Sequence, residues 1–416
     1  MSRINELIQE LCPDGVQFKT IEQLGVLYGG ITGKSKNDFT GGNARFITYM
    51  NVFSNIAVDT TRSNFVKING NERQRQLEKG DVLLTGSSEN PDECGMSSVV
   101  IDEPTEPLYL NSFCFIFRLN NTDVFLPGFS KYLFRDSAIR KKINQTASGV
   151  TRFNVSKKRF AKILIPVPPI IVQKEIVNIL DKFTQLEEEL SDELSARRKQ
   201  YEYYRSSLLA SGQDVEYFSL QDLCTVITDG SHFSPKATEE GYYMPSVKDM
   251  RSNGFDLSLC KKISEKDYEV LVKNGCKPQK NDVLIAKDGS MLKHAFPVEE
   301  EQSLVVLSSI AILRTKLEII NPKYLAHYFG QEKFKEIVIR NFSSKGGVPR
   351  IVLKNFKKVK IPVPSLSKQN DIINILDAFD GLVNDINNGL PAEIKARRQQ
   401  YEYYRTKLLT FQELSV

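Results

Sequence analysis

One stretch of this chain occurs twice. From Ile165 the residues run IPVPPIIVQKEIVNILDKF, and from Ile361 they run IPVPSLSKQNDIINILDAF. Each copy continues into a charged segment with a nearly identical ending, ARRKQYEYYRSSLL from Ala196 and ARRQQYEYYRTKLL from Ala396. The Ile-Pro starts lie 196 residues apart (165 to 361) and the Ala-Arg-Arg ends 200 apart (196 to 396). A repeat of that length constrains the fold before any other feature does, because whatever one half builds the other half builds again.

Each copy reads as a long helix with an entry signal. Pro166 and Pro168, like Pro362 and Pro364, bar a helix and enforce an extended approach. Apolar residues then recur at steps of three and four. In the first copy they are Ile176, Leu180, Phe183, Leu186, Leu190, Leu194, Tyr201, Tyr204 and Leu208. In the second they are Ile372, Leu376, Phe379, Leu382, Ile386, Leu390, Ile394, Tyr401, Tyr404 and Leu408. That spacing predicts a coiled-coil seam rather than a broad globular face. Arg197 and Arg397 fall on the seam where an apolar residue is expected, which points to a buried or interfacial carboxylate partner. A pair of ordinary amphipathic helices would leave the shared Tyr-Glu-Tyr-Tyr-Arg ending unexplained.

The segments between the helices follow a shared order with diverged residues. Val16-Gln-Phe-Lys-Thr-Ile-Glu-Gln-Leu matches Val215-Glu-Tyr-Phe-Ser-Leu-Gln-Asp-Leu, and Lys79-Gly-Asp-Val-Leu-Leu matches Lys280-Asn-Asp-Val-Leu-Ile. Gly149-Val-Thr-Arg matches Gly347-Val-Pro-Arg, just ahead of each Ile-Pro-Val-Pro. Strand-like runs at 44–50, 81–84, 98–101 and 112–118 precede a helical patch at 129–143. The expected organisation is a globule over 1–164, a helical region over 165–211, a globule over 212–360 and a helical region over 361–416. The fold class is α+β: two globules separated by two long helices packed as an antiparallel coiled coil, with a pseudo-two-fold internal repeat. Helices held alike suit one partner surface or each other, whereas loops that differ on a shared frame suit related but distinct targets. A body with one globule at each end of paired rods fits a two-part target along a rod, and DNA is such a rod.

Composition narrows the function. Hydrophobic residues make up 41% and charged residues 26% of the 416, ordinary values for a soluble protein. No apolar run approaches a membrane span and the Met-Ser-Arg-Ile-Asn start carries no signal-peptide pattern, so a cytoplasmic protein is expected. The six cysteines show no Cys-x-x-Cys pair or repeated spacing and are expected to be reduced thiols. With only three histidines, metal or histidine-based catalysis has little to work with, and no metal site is expected. The net charge of +5 permits nucleic-acid binding without establishing it. Neither the Asn/Asp-Pro-Pro-Tyr/Phe loop of an amino-methyltransferase nor its Gly-rich turn is present. Gly29-Gly-Ile-Thr-Gly-Lys-Ser falls one residue short of a phosphate loop, because Tyr28 stands where its first glycine would be. Pro91-Asp92-Glu93 lacks the downstream Glu-x-Lys of a nuclease and reads as a turn.

Taken with its layout, the chain resembles the specificity subunit of type I restriction–modification systems over nearly its whole length. The signs are Ile-Pro-Val-Pro-Pro with Gln173, the Leu-Asp-x-Phe at 180–183 and 376–379, and both Tyr-Glu-Tyr-Tyr-Arg endings. Thr32-Gly-Lys-Ser-Lys-Asn-Asp-Phe and the string from Gly86 to Met96 also resemble that family's recognition domains. The resemblance implies that each globule is a target recognition domain reading half of a split DNA site. It also implies that the helices dock two adenine methyltransferase subunits and that motor–nuclease subunits join for restriction. S-adenosylmethionine, ATP and Mg²⁺ would then belong to those partners, and this chain would be non-catalytic with no cofactor of its own.

Double-stranded DNA would be met by polar and basic loop residues, with Lys and Arg on phosphates and Asn, Gln, Arg or Ser on base edges. The candidates are Lys34, Lys36, Asn37, Ser87, Asn90, Thr151 and Arg152 in the first globule. In the second they are Ser231, His232, Lys287, Ser290, Lys293, Lys345 and Arg350. Arg152 and Arg350 lead because they occupy equivalent places, with a structural salt bridge as the alternative for each. The rival function is a coiled-coil scaffold that binds only proteins, which leaves the duplicated, loop-variable globules unexplained. The four-residue difference between the helical regions amounts to about 6 Å of helix, close to two base-pair steps of about 3.4 Å. Gly389 and Pro391 near the extra residues are expected to break the second helix. Adding or deleting one Leu-x-x-x unit of the 186–197 run is expected to change the gap between half-sites by a base pair or two. Methylation mapping checks this, and an unchanged gap would refute the ruler.

Overall fold

The structure, a computed structural model, describes residues 2–62, 64–210, 215–344, 349–385 and 388–414. The chain divides into two compact units, one of Met1–Glu189 with Ile394–Val416 and the other of Leu190–Glu393. Each unit therefore takes the opening half of one helical region and the closing half of the other.

The two units repeat one frame. In the first, an antiparallel sheet has the order Gly25–Gly29, Cys114–Leu119, Val82–Thr85, Ser97–Val99. In the second the order is Cys224–Asp229, Ile310–Thr315, Asp282–Ala286, Ala295–Pro297. A buried bidentate ion pair pins the same two central strands in both. Arg118 reaches Asp81 at 2.7 and 2.6 Å, and Arg314 reaches Asp282 at 2.9 Å through both nitrogens. The residue before each aspartate has positive φ, +88° at Gly80 and +70° at Asn281. Those two residue types enter that left-handed region most readily, which explains the substitution within the matched motif.

The Ile-Pro-Val-Pro segments are strands that close each globule. Leu164–Val167 pairs antiparallel with Gln17–Thr20, and Lys360–Val363 pairs with Glu216–Ser219. A buried glutamine then fastens the start of each helix to the globule. Gln173 donates to Val124 O and Pro168 O at 2.8 Å and accepts from Leu126 N at 2.9 Å. Gln369 donates to Ile319 O at 3.0 Å and Pro364 O at 2.8 Å and accepts from Asn321 N at 2.8 Å. Two turns further on, Asp181 takes the hydroxyl of Tyr132 at 2.5 Å and the ammonium of Lys131 at 2.7 Å. Its counterpart Asp377 takes His327 at 2.7 Å and Lys323 at 3.4 Å. The His327 ring holds the Asp377 carboxyl below the usual carboxylate range.

The first long helix runs unbroken over Ile170–Leu208, whereas the second is two helices, Leu366–Asn384 and Leu390–Leu409, parted at the expected break. The seam is aromatic and antiparallel within each unit. Phe183 stacks on Tyr404 with centroids 5.4 Å apart and lies 6.5 Å from Tyr401, while Glu187 meets Arg398 at 2.5 Å. In the other unit Phe379 stacks on Tyr204 at 5.3 Å and on Tyr201 at 6.3 Å. Ile176, Leu180 and Leu408 are buried in the first unit's core, and Tyr201, Ile372 and Leu376 in the second's, with Leu194 and Leu208 packed against it. Leu190 is half-buried and Ile394 buried. Ile386 lies outside the described residues. Within each unit the helix pair is sunk into that unit's globular core.

Three expectations are corrected. Among the described residues Arg197 has no buried carboxylate partner. It pairs with the exposed Glu193 at 3.5 Å, one helical turn back, and donates to Gln200 at 2.9 Å. The run at 44–50 is a strand only over Ala44–Ile47, because the Thr48 hydroxyl accepts from Asn51 N at 3.2 Å and caps the helix Tyr49–Ser54. The patch at 129–143 is two helices, Pro127–Leu133 and Ser137–Asn144, since Asp136 caps the second through Ala138 N at 2.9 Å. Replacing Gln173 by Ala leaves an amide N–H and two carbonyls without their partner and is expected to cost about 2–3 kcal/mol. The denaturant midpoint of the first unit's unfolding transition measures it.

Candidate nucleic-acid interface

In each globule, loops at one end of the four-stranded sheet come together beside the Arg152 or Arg350 corner. In the first, Phe153 and Asn154 pair with Ser88 and Ser87, just past the end of the central strand. The Arg152 Nε donates to Ser87 Oγ at 3.1 Å, and its guanidinium lies 5.6 Å from the centre of the Phe113 ring. Arg152 is exposed, with no carboxylate partner among the described residues, so the salt-bridge alternative does not apply. Phe113 is 57% exposed yet rigidly carried. Its N–H bonds Asn111 Oδ1 at 2.9 Å, and its carbonyl takes Gly86 N at 2.7 Å. Gly86 cannot carry a side chain here, since a Cβ would stand 2.8 Å from that carbonyl oxygen.

The neighbouring turn is anchored from below. Asn90 Oδ1 accepts from Asp92 N at 3.0 Å and caps the short helix Pro91–Glu93, the turn expected there. Arg140 donates to Cys94 O at 2.7 Å and Asp92 O at 3.0 Å. Burial pulls that guanidinium down to about 10, which still leaves it protonated at neutral pH, and its N–H groups clamp these carbonyls. The other candidates divide by exposure. Lys36, Asn37, Asn90 and Thr151 are exposed. Ser87 is buried and supports Arg152. Lys34 forms an ion pair with Glu72 and its side chain is 5% exposed, so it braces a loop and does not present a free cation.

The second globule builds the same corner with other chemistry. The Arg350 backbone makes an antiparallel β-bridge with that of Asp288, Gly289 N donates to Pro349 O at 2.8 Å, and Ile351 N donates to Lys287 O at 2.9 Å. Arg350 is exposed, with no ion-pair partner among the described residues. Lys287 lies inside, bonded to Asp229 at 2.8 Å, and Ser231 is buried and bonded to Phe233 O at 2.6 Å. Both support the loop that displays His232 and Phe233, the latter 66% exposed. His232 itself lies 3.3 Å from Asp229. Ser290 and Lys293 are exposed, and Lys345 lies outside the described residues. The equivalence of Arg152 and Arg350 is therefore spatial as well as sequential.

Sequence reasoning misses several exposed cations. Lys157, Lys158 and Lys162 in the first globule, and Lys354, Lys358 and Lys360 in the second, line the approach to each Ile-Pro-Val-Pro strand. A run of charge just ahead of a repeated motif is the signal that could have found them. Arg73 and Arg75 are also exposed, and only the alternation of Arg with Gln marks them. All six cysteines are free and buried, and burial pushes the Cys114 and Cys224 thiols up to about 12. No group of side chains suited to a metal ion occurs among the described residues. No helix among them is long and apolar enough to cross a membrane.

Two copies of one sheet frame, each presenting an uncommitted arginine among its own loops, define a duplicated specificity fold suited to a bipartite DNA site. The family model for the type I restriction modification DNA specificity domain matches residues 13–196 and 212–396, and the chain belongs to that family. It is 31% identical over 275 residues to a type I restriction enzyme specificity subunit of Haemophilus influenzae, covering 64% of this chain and 68% of that one. It is 35% identical over 271 residues to a type I specificity subunit of Escherichia coli, covering 62% and 64%. Among solved structures, an S subunit from M. genitalium shares the fold at TM-score 0.50 and 16% identity, over 95% of this chain and 96% of that one. A chain from a structure of the type I restriction–modification system matches at TM-score 0.63 and 14% identity, over 95% and 98%. Replacing Arg152 by Gln is expected to weaken specific binding by about 1–3 kcal/mol and to relax only one half of the recognised site. Arg350→Gln should relax only the other half. Methylation-motif sequencing reads both, and loss of both halves from either variant would refute the assignment.

Proposed function

We propose that the two globules each read one half of a split DNA sequence and that the helical regions set the distance between the halves. The observation that carries this is the repeated corner, where Arg152 and Arg350 are exposed at equivalent positions among different loops. A shared frame fixes register on the duplex and variable loops supply different base contacts, so the halves can differ in sequence. The helical regions also dock two adenine methyltransferase subunits. Tyr203 and Tyr403, at matching places in the repeat, are 68% and 61% exposed, although each packs edge-on against the neighbouring seam tyrosine. Aromatic anchors held rigid and left in water are what a partner surface would cover. Motor–nuclease subunits join that assembly for restriction. S-adenosylmethionine, ATP and Mg²⁺ act on those partners, and this chain supplies recognition in the cytoplasm without catalysis of its own. Sequencing modified adenines in DNA from cells carrying this chain and its methyltransferase partner is expected to give a split motif. Exchanging residues 1–164 for another recognition domain should replace one half of it and keep the other. A continuous motif, or one that changes throughout, would overturn the proposal.

A further inference from the structure

Beside the Phe113 turn, the first globule carries a polar groove of about 540 Å³ whose walls include Tyr28, Gly29, Gly30, Thr32, Arg73 and Arg75. Its position is fixed by backbone contact. Gly30 N donates to Cys114 O at 3.3 Å and Ile31 N to Leu110 O at 2.8 Å. A Cβ on Gly30 would stand 2.1 Å from Asn111 O. Gly30, one wall of the groove, therefore packs against the turn that holds Phe113 beside Arg152.

Its far wall is built by alternation. Glu72 takes Lys34 in an ion pair. Gln74 pairs through its amide with the Thr32 backbone, accepting from Thr32 N at 3.1 Å and donating to Thr32 O at 2.9 Å. These two residues tie the segment to the loop opposite. Arg73 and Arg75 between and beyond them are exposed, with no ion-pair partner among the described residues. The Arg75 guanidinium lies over the Tyr28 ring, 3.9 Å from its centre. Contact with the ring face holds the fork in place while its N–H groups remain available to an anion.

We infer that Arg73 and Arg75 grip the DNA sugar–phosphate backbone next to the half-site read by the first globule. The inference rests on the proposed DNA-reading function and extends it to a named backbone contact. Glu78, the carboxylate that also lines the groove, is taken by Arg118, so the two guanidinium forks stay unpaired and match phosphodiester oxygens better than base edges, because such forks pair bidentately with phosphate. The Lys34–Glu72 ion pair and the Gln74–Thr32 amide pair act as the scaffold that holds the grip in place. In the second globule the stretch leading into the matched Asp282 strand is Asn274-Gly-Cys-Lys-Pro-Gln-Lys280, with Asn274 and Cys276 where the arginines would stand. The grip thus belongs to one head.

The test uses the full chain assembled with its methyltransferase partner, bound to a duplex with the split site and to an unrelated duplex over a range of salt concentrations. Arg73→Gln/Arg75→Gln is expected to lower affinity for both duplexes by similar factors, about tenfold or more. It should also lessen the slope of log affinity against log salt by about 1.8, or 0.9 for each phosphate released. The methylated motif should not change. Arg73→Lys/Arg75→Lys keeps the charges and should keep most of the slope, which also controls for folding. A full slope in the Gln variant, or a loss confined to the split-site duplex, would overturn the grip while leaving two-headed reading intact. A wild-type assembly that does not distinguish the two duplexes would overturn both.

Discussion

The architecture depends on a stack of aromatic rings drawn from different repeats. Phe183 of the first copy lies on Tyr404 of the second, and Phe379 of the second lies on Tyr204 of the first. Offset aromatic pairs add about 0.5–1.5 kcal/mol beyond the area they bury. Each helical region carries both members of the arrangement, a phenylalanine near its beginning and tyrosines near its end. Change at Phe183 must therefore be accommodated at Tyr404, not at Tyr204. The motif that anchors a helix start and the motif that closes a helix end constrain each other across the duplication. That is a physical reason for two stretches of one chain to stay alike while the globules between them diverge.

The globules are free to diverge because their frame is held separately from their loops. The Arg118–Asp81 and Arg314–Asp282 pairs, the closing strands and the buried glutamines all lie away from the Arg152 and Arg350 corners. At the corners, backbone groups are satisfied locally, as where Phe113 bonds Asn111 and Gly86. A loop that meets its own hydrogen-bonding needs can exchange its outward side chains at little cost to the core. So the same place in the frame holds Ser87 beneath Arg152 in one globule and a buried Lys287–Asp229 pair in the other.

The repeat and its periodicity were enough to place the helices, the order of the globules and the break near Gly389 and Pro391, because these depend on residues adjacent in sequence. Whether a cation is free depends on distant residues. Lys34 is taken up by Glu72, 38 positions away, and Lys287 by Asp229, 58 positions away. Neither partner stands out in the sequence. Arg73 and Arg75, two ordinary residues of a polar run, stay uncommitted because their neighbours Glu72 and Gln74 make the internal bonds. Charge is visible in a sequence, but its availability is a property of the fold. Arg197 errs for the opposite reason, since a seam position is legible while the helix's own Glu193 can satisfy it locally.

The division into units has a consequence for stability. The first unit's core includes Leu408 and Leu409, with Tyr401, Tyr404 and Phe411 packed against it, all from the second repeat. Leu414 N donates to Val16 O at 2.9 Å, so the end of the chain also closes onto its beginning. The second unit's core likewise includes Tyr201 and Leu209 from the first repeat. Neither repeat contains all the apolar surface its own globule buries. Removing the 394–416 segment would expose Ile176, Leu180 and Phe183 together, and a domain that loses that much of its core has little margin left, given total stabilities of about 5–15 kcal/mol. The two heads can therefore differ in what they recognise, but neither completes its core without residues from the other repeat.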